Sequence, residues 1–194
     1  MGRSQGLSRP LPDTHPELLV FDIPGLCKEF RVENWHLARD GSRRPIRGAH
    51  ALTWFDALLV LLGSALWPTI GRRTYAWLGI AAIALLYLYI KCTQVLWESV
   101  LVIPPHGIQF ETHRGFPGYP LFASRNFIPL TALQNFVINE GLYGWNVRFY
   151  LAALQQLSDG SAKMDVAYEN IKPHFPVLIE IYHSVHEYLH ILKE

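Results

Sequence analysis

Cysteine is nearly absent: Cys27 and Cys92 are the only two in 194 residues. Two isolated thiols make neither a disulfide framework nor a zinc quartet. The first thirty residues are polar and proline-rich, without the apolar stretch of a secretory leader. Charge of either sign is in little excess, with a net of +1, so neither a nucleic-acid footprint nor an acidic-partner bias shows. The common catalytic signatures are missing too. There is no nucleophile elbow, no phosphate-binding P-loop and no dinucleotide fingerprint.

Charge is scarcest between Ala51 and Ile90, where only Asp56, Arg72 and Arg73 carry it. This leaves two apolar runs, Ala51–Ile70 and Thr74–Ile90, on either side of a short basic turn. At about 1.5 Å per residue the first run reaches roughly 30 Å, the thickness of a bilayer's hydrocarbon core. The second reaches roughly 25 Å by the same rise. It lengthens toward Leu96 if the Lys91 ammonium snorkels to the interface. Trp54, Trp67, Tyr75, Trp77, Tyr87 and Tyr89 lie near the run ends, where amphipathic rings favour a membrane interface. A hairpin buried in a protein core would be apolar on one face rather than all round. The pattern therefore predicts a transmembrane helical hairpin, with Asp56 at headgroup level. The basic flank, Arg43, Arg44 and Arg47 before the hairpin and Lys91 after it, predicts that both termini are cytosolic.

Four segments follow. Residues 1–16, rich in Gly, Ser, Arg and Pro, are expected to be disordered. Residues 17–50 form a cytosolic arm with extended stretches at Leu18–Phe21 and Phe30–Val32, ending in the basic flank. Residues 51–96 are the hairpin, and residues 97–194 a β-domain. In that last segment Trp97–Ile103 and Ile108–Thr112 read as strands about the Pro104–Gly107 turn. His113–Ser124 reads as a loop. Asn126–Leu130, Leu133–Asn139, Trp145–Leu157 and Met164–Tyr168 read as further strands, with a turn at Ser158–Ser161. Phe175, Leu178, Tyr182, Val185, Leu189 and Leu192 recur at helical spacing, which predicts a helix over 172–192 opened by Pro173 and Pro176. The expected class is an α+β membrane protein: a transmembrane hairpin, then a small antiparallel sheet or barrel of pleckstrin-homology-like layout, capped by a C-terminal helix.

Little in this pattern carries chemistry. His183, His186 and His190 share one helical flank, but no cysteine or zincin-type glutamate accompanies them, and exposed polar residues beside an apolar stripe explain them better. Asn139-Glu140-Gly141 is placed where a strand meets a turn, and a lone carboxylate there more often caps a turn or meets a partner than acts as a base. The alternative is a stand-alone, membrane-anchored, pleckstrin-like lipid binder. Against it, residues 97–171 set Arg114, Arg125, Arg148 and Lys163 against six acids, a poor site for a polyanion.

Cys27-Lys28-Glu29-Phe30, the two apolar runs, and Glu98–Ile103 followed by Gly107-Ile108-Gln109 form an ordered set of short pieces. Phe127-Ile128-Pro129, Val137-Ile138-Asn139-Glu140 and Leu178–Tyr182 complete it. In order and spacing the chain resembles the PIG-H family, one of the components of the phosphatidylinositol N-acetylglucosaminyltransferase complex. The resemblance spans roughly Cys27 to Leu192. It implies a non-catalytic component at the cytosolic face of the endoplasmic reticulum, without a cofactor. It also implies partners: a catalytic subunit that transfers N-acetylglucosamine from UDP-N-acetylglucosamine to phosphatidylinositol, and other small membrane subunits. Joined to the reading of the residues, it makes the Val137, Ile138, Asn139 and Glu140 corner the expected docking point for that catalytic subunit, which tethering would concentrate beside its lipid acceptor.

Overall fold

A computed structural model describes residues 6–11, 15–37, 45–48, 54–70 and 74–190. Its strands are β1 (Gly6–Ser8), β2 (Leu18–Ile23), β3 (Cys27–Glu33), β4 (Trp35–Leu37) and β5 (Pro45–Arg47), then β6 (Gln94–Ile103), β7 (Gly107–Phe116), β8 (Tyr119–Pro129), β9 (Leu133–Tyr143), β10 (Asn146–Gln156) and β11 (Ala162–Ala167). The helices are α1 (Trp54–Ile70) and α2 (Thr74–Cys92), between β5 and β6, and α3 (Phe175–His190) after the last strand. Strands β1-β2-β3-β6-β7-β8 form one antiparallel sheet in that order, β11-β10-β9 a second, and β4-β5 a small ribbon.

Alternation builds the core. Phe30 and Val32 on β3 point inward, as do Val100 and Val102 on β6, while their neighbours, the buried Ser99 apart, stay half exposed, the period-two pattern of a sheet with one covered face. Ile108, Ile128, Phe136 and Leu151 bring the remaining long strands into the same cluster. Helix α3 closes the gap between the sheets with Val177, Leu178, Ile181, Val185 and Leu189; of the expected stripe Leu178, Val185 and Leu189 are in the core, Tyr182 is partly buried, Phe175 is exposed, and Leu192 lies outside the described residues. At about 1.5–3 kcal/mol per large buried side chain, this shared cluster joins both sheets and the helix in one core.

The N-terminal arm is part of that core. Strand β3 pairs with β6 from Lys28↔Val102 to Glu33↔Trp97, so residues on opposite sides of the helical hairpin are adjacent in one sheet. Residues 6–8, within the segment expected to lack structure, pair with β2. The expected loop at 113–124 is instead two hairpin arms. Its Pro117-Gly118 turn joins Phe116 to Tyr119, with Gly118 at φ 92°, the position a type II turn reserves for glycine.

The membrane-spanning expectation is overturned. Among the described residues no helix is long and apolar enough to cross a membrane. Helix α1 has 17 residues, about 26 Å at the helical rise, against a hydrocarbon core of about 30 Å. Asp56 and Lys91, the two charges expected at the membrane interface, meet each other. They form an ion pair at 3.0 Å between the start of α1 and the end of α2, each side chain about nine-tenths buried. A two-span membrane protein with both termini placed by its arginines is therefore not supported, and the fold class becomes a β-rich α+β fold with antiparallel sheets. Arg43, Arg44 and the Arg72–Arg73 turn lie outside the described residues, as does the side chain of Arg47.

Candidate docking surface

Three apolar projections share one end of the sandwich. The first is the α1–α2 hairpin, whose Leu59, Val60, Leu61, Leu78, Leu85 and Leu88 are exposed. Its foot is fixed by the Lys91 ammonium, which donates to Asp56 and lies 5.6 Å from the Tyr87 ring. The Asp56 hydrogen bond holds Lys91 above its ordinary pKa, against a smaller opposing effect of burial, and the same carboxylate raises the Tyr87 phenol. The second projection is the β7–β8 hairpin, with Tyr119, Leu121 and Phe122 exposed near its tip. Gln94, two residues beyond α2, pairs with Gly115 at the base of that tip. The third is the β9–β10 hairpin, whose Leu142 is 86% exposed and Trp145 104%.

A strap from Tyr168 to Lys172 joins these projections. The carboxylate of Glu98 holds it from β6. Glu98 is 2% exposed and accepts from Thr112 Oγ1 at 3.1 Å, from the Asn170 side-chain amide at 2.7 Å, and from the backbone N–H groups of Asn170 and Ile171 at 3.1 and 3.0 Å. Arg114 of β7 donates to Asn170 Oδ1 at 3.4 Å. Both ends of the strap are left-handed at non-glycine residues, Tyr168 at φ 56° and Lys172 at φ 52°, a conformation that persists where surroundings over-determine it. The Tyr168 hydroxyl donates to the Phe30 carbonyl at 2.8 Å. Burial, reinforced by the negative charge of Glu98, pushes that phenol well above its ordinary pKa. At the far end the Lys172 ammonium sits 3.6 Å over the Tyr143 ring, bringing the strap against the third projection.

The expected corner lies on this third projection, in altered form. Residues 137–140 are not at a turn: β9 runs on to Tyr143, and the reversal falls at Gly144–Trp145. Val137 and Ile138 are half-buried, and Ile138 packs on the core. Asn139 and Glu140 are exposed, with Glu140 opposite Phe149. The Asn139 side chain accepts the backbone N–H of Glu140 at 2.8 Å, and Asn135 does the same for Phe136 at 2.9 Å. The Phe136 carbonyl is met by His186 Nε2 at 2.8 Å. Since β9 is the outer strand of its sheet, these contacts cover edge groups that would otherwise face an incoming strand. They also give one of the three flank histidines a structural task.

The reading of the residues missed the Glu98 clamp and the aromatic hairpin tips. The clamp has a signal in the pattern. Glu98 shares the inward parity of Val100 and Val102, and an acid on a buried face calls for a set of donors. The tips had a weaker one: Leu142-Tyr143-Gly144-Trp145 sets large apolar residues around a turn glycine, where loops are ordinarily polar. Exposed apolar clusters of this kind mark interaction surfaces.

No curated protein and no solved structure matches the chain. The family described as GPI-GlcNAc transferase complex, PIG-H component, matches residues 99–169. That span holds the hairpins β7–β8 and β9–β10 and the first two residues of the strap, and over it the chain is similar to the PIG-H component of the GPI-GlcNAc transferase complex.

Proposed function

We propose that the chain is a non-catalytic docking subunit of the enzyme that transfers N-acetylglucosamine from UDP-N-acetylglucosamine to phosphatidylinositol, and that the apolar end of the sandwich seats the catalytic subunit. The observation that carries this reading is the exposure of Leu142 and Trp145 on the β9–β10 hairpin within the matched span. A monomer gains nothing by exposing them, whereas an interface draws most of its energy from a few such anchors. The exposed Asn139–Glu140 pair belongs to the polar rim of the same surface. The β-domain, assembled from residues 17–37 and 94–190, acts as the platform.

The test is affinity purification of the full chain in mild detergent. Trp145→Asp should lower recovery of the glycosyltransferase subunit, with a cost of about 2 kcal/mol or more, roughly 30-fold in affinity, while the melting temperature stays unchanged. Glu140→Lys should produce a smaller loss. Full recovery with both variants would remove the surface from the interface.

A further inference from the structure

Behind the β9–β10 tip lies a cavity of about 190 Å³. Its floor is Ala167, Tyr168 and Leu178, all within the buried core, and its mouth is framed by Tyr143, Phe149 and Lys172. Small-molecule and cofactor sites run to about 300–1,000 Å³, so this one is too small for a sugar nucleotide or a phospholipid. A cavity of about 150 Å³ accepts benzene, so it suits a single ring or a branched aliphatic group.

Polarity narrows the occupant further. The lining is apolar apart from its rim, where Arg148 and Lys172 stand with Glu169. Among the described residues Arg148 is in no ion pair, and the contact of the Lys172 ammonium is the Tyr143 ring. Two cations to one acid at the mouth of an apolar hole favour a ligand with a carboxylate next to its apolar part. The wall on the Lys172 side is the strap fixed by Glu98, so the cavity is formed before anything enters it, which lowers the ordering cost of binding.

We propose that this cavity is an anchor site for a partner polypeptide, receiving one aromatic or branched aliphatic side chain with a carboxylate within a residue or two of it. The ring enters between Phe149 and Leu178, and the carboxylate meets Arg148 and Lys172. This rests on the docking role proposed above and names the chemistry of the partner's contact segment.

The test uses three probes on the full chain with methyl-labelled Ala, Val and Leu, followed by NMR. 3-Phenylpropionate carries ring and acid, phenethylamine ring and base, and propionate acid alone. Saturable shifts at Ala167, Val166 and Leu178 are expected with 3-phenylpropionate, with binding about tenfold weaker for phenethylamine, the scale of one charge-assisted hydrogen bond. Propionate should give no saturation. Arg148→Gln and Lys172→Gln should each reduce the preference for the acid. No saturable shift at those methyls, or equal binding of acid and amine, overturns the proposal. Copurification separates this from the broader reading. A glycosyltransferase recovered by a chain whose cavity ignores 3-phenylpropionate would sink the anchor site alone. A responsive cavity without that partner would sink the docking role alone.

Discussion

The side-chain amide of Asn170 donates to the buried carboxylate of Glu98 at 2.7 Å, across 72 residues of sequence. With the Asn170 and Ile171 N–H groups and the Thr112 hydroxyl on the same carboxylate, this contact fixes the strap on which the apolar end depends. Glu98→Ala takes a 2% exposed acceptor away from those donors, at about 1–3 kcal/mol for each buried group left unsatisfied. A loss of at least ~3 kcal/mol in urea unfolding is expected. Glu98→Gln keeps the shape but turns two N–H donors toward a site that needs acceptors, and should cost less than the alanine while remaining clearly destabilising. A glutamine variant as stable as the parent would show that the carboxylate is not needed to hold the strap.

Gly107 offers a second test, because the space beside it is occupied by backbone. A Cβ there would run into the Ile128 carbonyl oxygen, and the residue's φ is +153°. It faces Pro129 across the β7–β8 ladder, where neither side can move without breaking the register. Gly107→Ala should cost about 1–3 kcal/mol, the usual penalty of overpacking, read as a lowered urea midpoint with an unchanged slope. Gly118→Ala meets open space and carries only the left-handed penalty of about 1 kcal/mol. The order of the two variants, Gly107 worse than Gly118, is the result to check.

Much of the sandwich was legible because alternation and turn residues speak for single strands. Leu18–Phe21, Phe30–Val32, Trp97–Ile103 and Ile108–Thr112 all fall within observed strands, and the helix expected at 172–192 is found at Phe175–His190. Pairing across the helical insert was not legible. Nothing local tells Phe30 that its neighbour is Val100, since the register is set by the shared core. The hairpin misled for a related reason. Mean apolarity reports that a helix avoids water but not what it meets, and the Asp56–Lys91 pair, 35 residues apart, becomes visible only when the two helices are set side by side. The 113–124 segment hid because glycine and proline mark loops and tight hairpin turns alike.

Acid should weaken the fold through Glu111. Burial raises its pKa, but hydrogen bonds from His113 and Gln109 and the charge of Arg125 outweigh that, and the folded value falls below the ordinary one near 4.5. Arg125 Nε lies 3.0 Å from the carboxylate. A carboxylate depressed in the folded state contributes stability above its unfolded pKa and loses it as pH falls through the folded value. Stability measured by urea should therefore hold near neutrality and decline below about pH 4.5, the ordinary value. Glu111→Gln should be less stable at pH 7 and show a shallower decline in acid. Parallel curves for the two proteins would exclude Glu111 as a source of that dependence.

The open edge of β9 makes the last prediction. The outer N–H groups of Phe136 and Glu140 are taken up by the side chains of Asn135 and Asn139, and the Phe136 carbonyl by His186. These bonds lie at or near the surface, where a hydrogen bond contributes about 0.5–1.5 kcal/mol at most. Their larger effect is to deny pairing sites to another strand, because an uncovered edge is a template for association. Asn135→Ala with Asn139→Ala should thus lower the melting temperature only slightly and raise the mass measured by light scattering in the same detergent. Glu140→Lys, which leaves both amides in place and adds a charge beside the edge, should show no such rise. An unchanged mass for the double variant would mean that the amides do not guard the edge, and the blunting of β9 would then rest with His186 and helix α3.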